Sequence, residues 1–386
     1  MIANILTPRQ LLIGGGAVKE LPGLLSGLGL SRPLIVTDAH LVEIGKLAIV
    51  AALLDEAGVV WDVFDAVVED PTDTAVDAGL AKMGEGDFDC LIALGGGSPI
   101  DTAKAMAILA VTGGHVRQFR VPKQANVQAL PLIAVPTTAG TGSEGTRFMV
   151  ITDTENDEKL SIGGSGCVPT AAIVDYEMTY TVSFRTTADT GIDSLTHAIE
   201  AYVGRKANPI TDGLALAAMK RIARNIRQAC QAPEDPKARE QMMLGAHEAG
   251  LAFSNASVAL VHGMSRPIGA FFHVAHGLSN AMLLPAVTAF SAEAALGRYA
   301  DCARAMELCD DSVGDQAAVS YLLEELRNLN AELEVPTPKA YGIDEQRYRE
   351  LLPTMAEQAL ASGSPGNNPR LPTTDEIVAL YQEVWD

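Results

Sequence analysis

The 386-residue sequence has little that would tie it to an oxidising compartment, a membrane or a nucleic acid. Its five cysteines, Cys90, Cys167, Cys230, Cys302 and Cys309, are widely spaced and contain no Cys-x-x-Cys pair. That argues against a disulfide framework and against a thiolate zinc site. No stretch approaches 18 uninterrupted apolar residues, so no membrane-spanning helix is expected. The start, MIANILTPRQLLIGGG, lacks the basic segment and apolar run of a signal peptide, and a cytoplasmic location is the expectation. Positive charge is scarce: 28 Lys+Arg stand against 48 Asp+Glu, a net charge of −20. Such a field repels phosphate backbones and anionic lipid, so neither nucleic acid nor a membrane surface is an expected partner. It does not repel metal cations. Internal repeats and low-complexity tracts are missing as well.

What is there is a chain long enough for two domains, with 48% hydrophobic residues to fill their cores. Disordered and fibrous classes are thereby excluded. Up to about residue 181, short β-rich runs alternate with helical patterns. Strands are predicted over 33–38 (PLIVTD), 59–64, 90–94 (CLIAL), 131–136 (PLIAVP), 148–152 (FMVIT) and 171–175, with helices over 41–57 and 99–110 between them. Several of these runs are almost continuously apolar, as parallel strands covered on both faces should be. An α/β domain over 1–181 follows, with a polar segment at 154–166 that reads as a hairpin. From residue 182 to 386 the strand signal vanishes. Helical periodicity at 190–203, 210–229 and 238–253 predicts an all-helical second domain, with a loop at 362–374 before a last helix.

Two loops in the first domain suit phosphate. Gly95-Gly96-Gly97-Ser98 follows an apolar strand, with Ser98 placed to cap the next helix and Pro99 at its first position. Free N–H groups at such a helix start attract anions, so the turn reads either as a pyrophosphate cradle or as a tight turn without ligand. PTTAGTGSE, residues 136–144, follows the next strand of the same kind. Paired loops at strand C-termini form the crevice where open α/β sheets bind nucleotides. An earlier triple glycine in IGGGA (13–17) reads as a structural turn. Asp38 ends a strand, where it can serve either as a helix N-cap or as an acceptor for an adenosine ribose, the latter favouring NAD over NADP.

Five of the seven histidines fall between His197 and His276, where even scatter would place about one and a half. Asp193 and His197 lie four apart and share a helical face, a spacing that lets a carboxylate and an imidazole chelate one ion. His262 and His276 are fourteen apart, about 21 Å along a straight helix. They reach one metal only if the chain bends, and Pro267, Gly269 and Gly277 offer places to do so. One carboxylate and three imidazoles suit Fe²⁺ or Zn²⁺. Spacing alone leaves the bland alternative of packed core histidines open, and His247 reads as such a residue.

At these residues the sequence resembles the iron-containing (group III) alcohol dehydrogenases. GGGSPIDTAKA, PTTAGTGSE, TGIDSLTHAIEAY, the VHG…AHGLSNAMLLP block and NPRLPTTDEIVALY occur in order along the whole chain. The resemblance implies a Rossmann-like nucleotide-binding domain, an all-α metal-binding domain and a dehydroquinate synthase-like fold. It implies metal ligation by Asp193, His197, His262 and His276, with Fe²⁺ the expected ion and Zn²⁺ the alternative. It places NAD, with NADP the lesser candidate, on Asp38, Gly95, Gly96, Gly97, Ser98, Thr137, Thr138 and Thr141, with Asp101 and Lys159 nearby. The implied reaction is hydride transfer between a small alcohol and its aldehyde or ketone, in a homodimer or higher homo-oligomer. Rivals are a transhydrogenase between hydroxy and oxo acids, a dehydroquinate-synthase-like lyase and a non-catalytic sensor of metal or nucleotide.

One departure concerns Arg266, which stands where many members of the family carry His four residues after the third ligand. Arginine stays charged and cannot relay a proton, which leaves His273, the cofactor ribose or water for that role. Arg147 is a second unexpected cation, and a pair of arginines suits a carboxylate, sulfonate or phosphonate on the substrate. Each arginine can equally be paired with one of the many acids. Phe253 is expected to pack over the substrate.

Overall fold

The computed structural model describes residues 2–120, 123–156 and 158–386. Two compact units emerge, Asn4–Thr181 and Val182–Asp386.

The first unit runs β1 (Gln10–Ile13), α1 (Leu21–Leu28), β2 (Pro33–Val36), α2 (Ala39–Glu43), α3 (Lys46–Glu56), β3 (Asp62–Phe64), α4 (Asp73–Met83), β4 (Cys90–Gly95), α5 (Gly97–Thr112), β5 (Leu132–Pro136), β6 (Phe148–Asp153), β7 (Glu158–Gly163) and β8 (Ala171–Val174). Six strands form one sheet in the order β1-β8-β5-β4-β2-β3, parallel at every pairing. The apolar runs explain this arrangement. Every residue of β2, β4, β5 and β8 is buried, as strands clad by helices on both faces must be. Leu21 and Leu25 of α1 and Val50 and Leu54 of α3 join Ile35, Ile92, Ile133 and Ile173 of the sheet in one core. The chain builds outward from β2 to β3, then restarts on the other side of β2 with β4. Ligands bind in open α/β sheets at that kind of switch in strand order, beyond the strand C-termini. Asp38 and Gly95 flank it.

Two expectations for this unit are revised, and one strand is added. FMVIT does not join the parallel sheet: β6 pairs antiparallel with β7, Phe148 opposite Gly163, in a separate hairpin. The helix expected over 41–57 is broken into α2 and α3 because Gly45 adopts the left-handed conformation, φ 80°. Edge strand β1 has too short an apolar run to be read from sequence.

The second unit contains helices α6 (Phe184–Val203), α7 (Pro209–Gln231), α8 (Pro236–Ala256), α9 (Leu260–Phe272), α10 (His276–Ser291), α11 (Leu296–Ala305), α12 (Asp315–Glu332), α13 (Pro338–Tyr341), α14 (Glu345–Ala361) and α15 (Thr374–Glu383). No strand occurs among its described residues. The sharp starts have local causes: Ser183 caps α6, Asn208 caps α7 with Pro209 at its first position, and Asp235 caps α8 ahead of Pro236. The stretch expected as a loop at 362–374 carries a short 3₁₀ turn, Ser364–Asn367, whose Asn367 is buried.

Candidate metal centre and nucleotide loops

In the helical unit, α6 presents Asp193 and His197 one turn apart, both buried. His262 is the third residue of α9, and His276 is the first of α10. The bend that brings the last two together is not where the sequence suggested. Pro267 and Gly269 both lie inside α9, and Gly277 lies inside α10. The chain turns instead at His273, which leaves α9 in the left-handed conformation, φ 55°. Gly277 serves packing rather than bending. A Cβ there would sit 2.5 Å from the Asp189 carbonyl oxygen, so only glycine lets α10 pack this close to α6.

Asp193, His197, His262 and His276 each offer one ligand atom, and these four atoms lie within 4.8 Å of one another. The three Nε2 atoms stand 3.7, 3.4 and 3.9 Å from Asp193 Oδ1, for His197, His262 and His276 respectively. A tetrahedral cation with bonds of about 2.1 Å holds its ligand atoms roughly 3.4 Å apart. The match is close. The Asn280 amide, one turn along α10 from His276, stands 2.7 Å from Asp193 Oδ1 and 3.2 Å from both His262 Nε2 and His276 Nε2. Its own Oδ1 is buried without a partner. One amide facing a carboxylate and two imidazole nitrogens, with an orphaned oxygen behind it, fits a pocket made for a cation.

Electrostatics supports that fit. Burial alone would raise the Asp193 carboxyl, but the surrounding imidazoles outweigh it and hold it far below the usual carboxylate range. Burial drives His197 down to about 3, so its ring is neutral and keeps a free lone pair. At His262 burial opposes charge, yet Glu200 and Asp193 outweigh it and raise the ring to about 9, so a cation binding there would have to displace a proton from the ring.

The sequence reading missed Glu200, whose carboxylate accepts from His262 Nδ1 at 2.7 Å. A signal was present, since Asp193, His197 and Glu200 follow one another at helical i, i+4 and i+7 spacing. It also missed Asn280 and Ser265, whose hydroxyl lies 3.3 Å from His276 Nδ1.

Of the expected substrate residues, Phe253 stacks on the His197 ring with centroids 4.2 Å apart. His273 is exposed. Arg266 is half-buried and donates through Nη1 to Ser364 Oγ at 3.1 Å. Arg147 belongs to the other unit, with its guanidinium 5.7 Å from the Phe148 ring centroid, and burial lowers its pKa. His247 is buried in α8 and is not one of the four grouped ligands.

In the α/β unit the glycine loop and the threonine loop lie against each other. Thr137 N–H donates to Gly95 C=O at 3.1 Å, a Cβ on Gly96 would meet Thr138 Oγ1 at 3.2 Å, and one on Gly97 would meet Thr141 Cγ2 at 3.0 Å. The expected capping shifts by two residues. Gly96, not Ser98, is the N-cap of α5, and it has no side chain to occupy the first-turn N–H groups. That leaves these donors to an anion. By contrast, the loop at Gly14–Gly16 is filled by the protein's own carboxylate: Gly16 N–H and Val18 N–H both donate to Asp175. Asp38 is half-buried and caps α2 through one oxygen, Oδ1, accepting from Leu41 N–H. Asp101 already accepts from Ser143 Oγ and Val150 N–H, and Lys159 pairs with Asp70, so both have partners within the protein.

Comparison with known proteins covers nearly the whole chain. A family model described as iron-containing alcohol dehydrogenase matches residues 8–176, and its C-terminal counterpart matches residues 187–385. Lactaldehyde reductase of Escherichia coli strain K12 is 38% identical over 374 residues, 96% of this chain and 97% of its own. The NAD-dependent methanol dehydrogenase of Bacillus methanolicus is 35% identical over 382 residues, 99% of each chain. Among solved structures, a 1,3-propanediol oxidoreductase superposes with a TM-score of 0.95 at 33% identity, each chain covered completely.

Proposed function

The chain belongs to the iron-containing alcohol dehydrogenase family, and on that footing we propose that Asp193, His197, His262 and His276 hold its divalent ion and that the Gly95–Ser98 turn holds the pyrophosphate of NAD. The enzyme interconverts an alcohol and its aldehyde or ketone by hydride transfer. The observation that carries the site assignment is the convergence of one carboxylate and three imidazoles, with ligand atoms within 4.8 Å of one another. When bound, the ion and the nicotinamide supply a Lewis acid for the substrate oxygen and a hydride acceptor for its carbon. The protein's own part is positional. Asp193 stays ionised and would neutralise half the charge of a divalent cation, while Phe253, stacked on His197, shields that ring from water. Three imidazoles and one carboxylate suit Fe²⁺, with Zn²⁺ the competitor.

Thr137, Thr138 and Thr141 adjoin the glycine turn and are proposed to share the phosphate contacts. Asp38, with one carboxylate oxygen outside its capping bond, is proposed to accept from the adenosine ribose and so to favour NAD over NADP. Association into a homo-oligomer is our reading too, and light scattering checks it.

A second reading concerns the substrate. A guanidinium carries five N–H donors, and Arg266 spends one of them on Ser364. It lies one helical turn beyond His262, which favours a substrate with an anionic group. An NADH absorbance assay on neutral and anionic short-chain alcohols tests both readings, after reconstitution with Fe²⁺. Turnover that needs added metal is expected. Its absence across the panel defeats the dehydrogenase assignment, and an anionic preference that survives Arg266→His removes Arg266 from recognition.

A further inference from the structure

We propose that Glu200 is a positioning residue of the metal centre, a buried carboxylate that fixes both the proton on His262 and the start of the helix that carries it. The inference rests on the ligand assignment above and goes past it, to what holds the ligands ready. Glu200 is 3% exposed and sits on α6, one helical turn beyond His197. Its Oε2 accepts from His262 Nδ1 and from Ala259 N–H, each at 2.7 Å, and its Oε1 accepts from Val261 N–H at 2.6 Å. Three donors are thus matched to the two oxygens of one carboxylate.

The consequence for His262 follows from imidazole chemistry. A neutral ring has one N–H and one lone pair. In the neutral form a ligand must take, a proton held on Nδ1 by Glu200 would leave the lone pair on Nε2, the nitrogen 3.4 Å from Asp193 Oδ1. The opposite tautomer would aim a proton into the ligand set. The two backbone contacts add a second function. Ala259 is the N-cap of α9 and has no side chain able to cap, so Glu200 supplies that cap from another helix. The entering chain is clamped from its other face by Asn367, whose amide lies 3.0, 3.3 and 3.1 Å from the carbonyl oxygens of Ala256, Ser257 and Val258. Ser257, between them, is held at φ 68°, a conformation a non-glycine residue keeps only when its surroundings enforce it. His262 therefore sits on a segment fixed on its carbonyl side by Asn367 and on its amide side by Glu200.

Glu200→Gln preserves the shape but replaces one acceptor oxygen by an NH₂ donor. At least one of the three donors then faces an NH₂ group, and the loss of the negative charge weakens the hold on the His262 Nδ1 proton whichever way the amide turns. Outer partners of this kind typically change metal affinity about 10–100-fold when removed. The test is a Co²⁺ titration of chelator-stripped, full-length protein, read from the visible spectrum of the bound ion, with thermal melts of the metal-free proteins alongside. Glu200→Gln is expected to weaken Co²⁺ binding about 10–100-fold while still melting cooperatively, and Glu200→Asp, which keeps the charge, to recover part of the loss. Co²⁺ affinity equal to wild type in a folded Glu200→Gln overturns the proposal alone. Wild-type protein that takes up no stoichiometric Co²⁺ overturns the ligand assignment, and this proposal with it. If Glu200→Gln does not fold, ¹⁵N spectra of histidine-labelled, metal-free wild-type protein at alkaline pH decide: a neutral His262 ring with its proton on Nδ1 upholds the role, and one with its proton on Nε2 overturns it.

Discussion

His276 and His262 are assigned the same chemical role from unlike surroundings, and that contrast can be exploited. The His276 side chain is 45% exposed, whereas that of His262 is 4% exposed and donates to a buried carboxylate. In metal-free protein, His276→Ala loses a partly exposed ring with its contacts to Ser265 and Asn280, about 0.5–1.5 kcal/mol. His262→Ala leaves a cavity and removes a donor from Glu200, about 1–3 kcal/mol. Metal binding changes the comparison. A ligand present at about 100 times its Kd stabilises the folded state by roughly 2.7 kcal/mol. For a unit of about 200 residues each kcal/mol moves Tm by roughly 2–4 °C, so wild type should gain about 5–11 °C on saturation. The assay is thermal unfolding with and without Zn²⁺ or Co²⁺ after chelation. His276→Ala is expected to keep the metal-free Tm within a few degrees and to lose the metal-dependent increment, and His262→Ala to lose both. A full increment in His276→Ala, with wild-type metal stoichiometry, would remove His276 from the coordination sphere and refute the four-ligand geometry.

Other outcomes follow from the α/β unit. Gly95 has φ 152°, and a Cβ there would lie 2.4 Å from Pro99 Cγ. Gly95→Ala should cost about 2–6 kcal/mol from backbone strain and overpacking together, seen as a lowered Tm with weakened NADH binding. Gly97→Ala meets only the tip of Thr141, so its Tm should stay near wild type while NADH affinity falls; wild-type affinity would detach this loop from the cofactor. Lys104 is fully buried and donates to Ser143 Oγ, Thr146 Oγ1 and the Phe148 carbonyl, with Asp101 3.8 Å away. Lys104→Met should destabilise by about 2–4 kcal/mol in urea unfolding, since it removes the charged donor of three hydrogen bonds and the counter-charge of Asp101. Asp38→Gly should narrow the preference for NAD over NADP at least about tenfold in kcat/KM. A charge–phosphate repulsion near 4 Å is worth up to roughly 4 kcal/mol at a protein surface. An unchanged ratio would leave Asp38 as a helix cap alone.

The features legible in the sequence depend on short stretches of chain. Apolar runs of four to six residues marked the buried strands β2, β4, β5 and β8, because a strand covered on both faces must be apolar at every position. Asp193 and His197 could be paired from spacing, since one helical turn brings residues i and i+4 together without help from the rest of the protein. The glycine turn announced a close backbone approach but misplaced its own helix cap, as a glycine cap leaves no side-chain signature.

Contacts between distant segments were decided by the fold alone. The union of His262 with His276 needed a turn at His273, a residue with no turn-forming character, held there by the packing of α9 and α10. Whether Gly14–Gly16 or Gly95–Gly97 is open to an anion depends on Asp175, more than 150 residues away in sequence, filling the first loop and not the second. Strand FMVIT carries the same apolar signal as its parallel neighbours, yet it pairs with β7, because pairing is chosen by what the tertiary arrangement leaves available. Glu200 looked like one more acid on an acidic helix. Only folding brought three donors to it, and burial is what turns those hydrogen bonds from negligible in water into a force that can fix a proton.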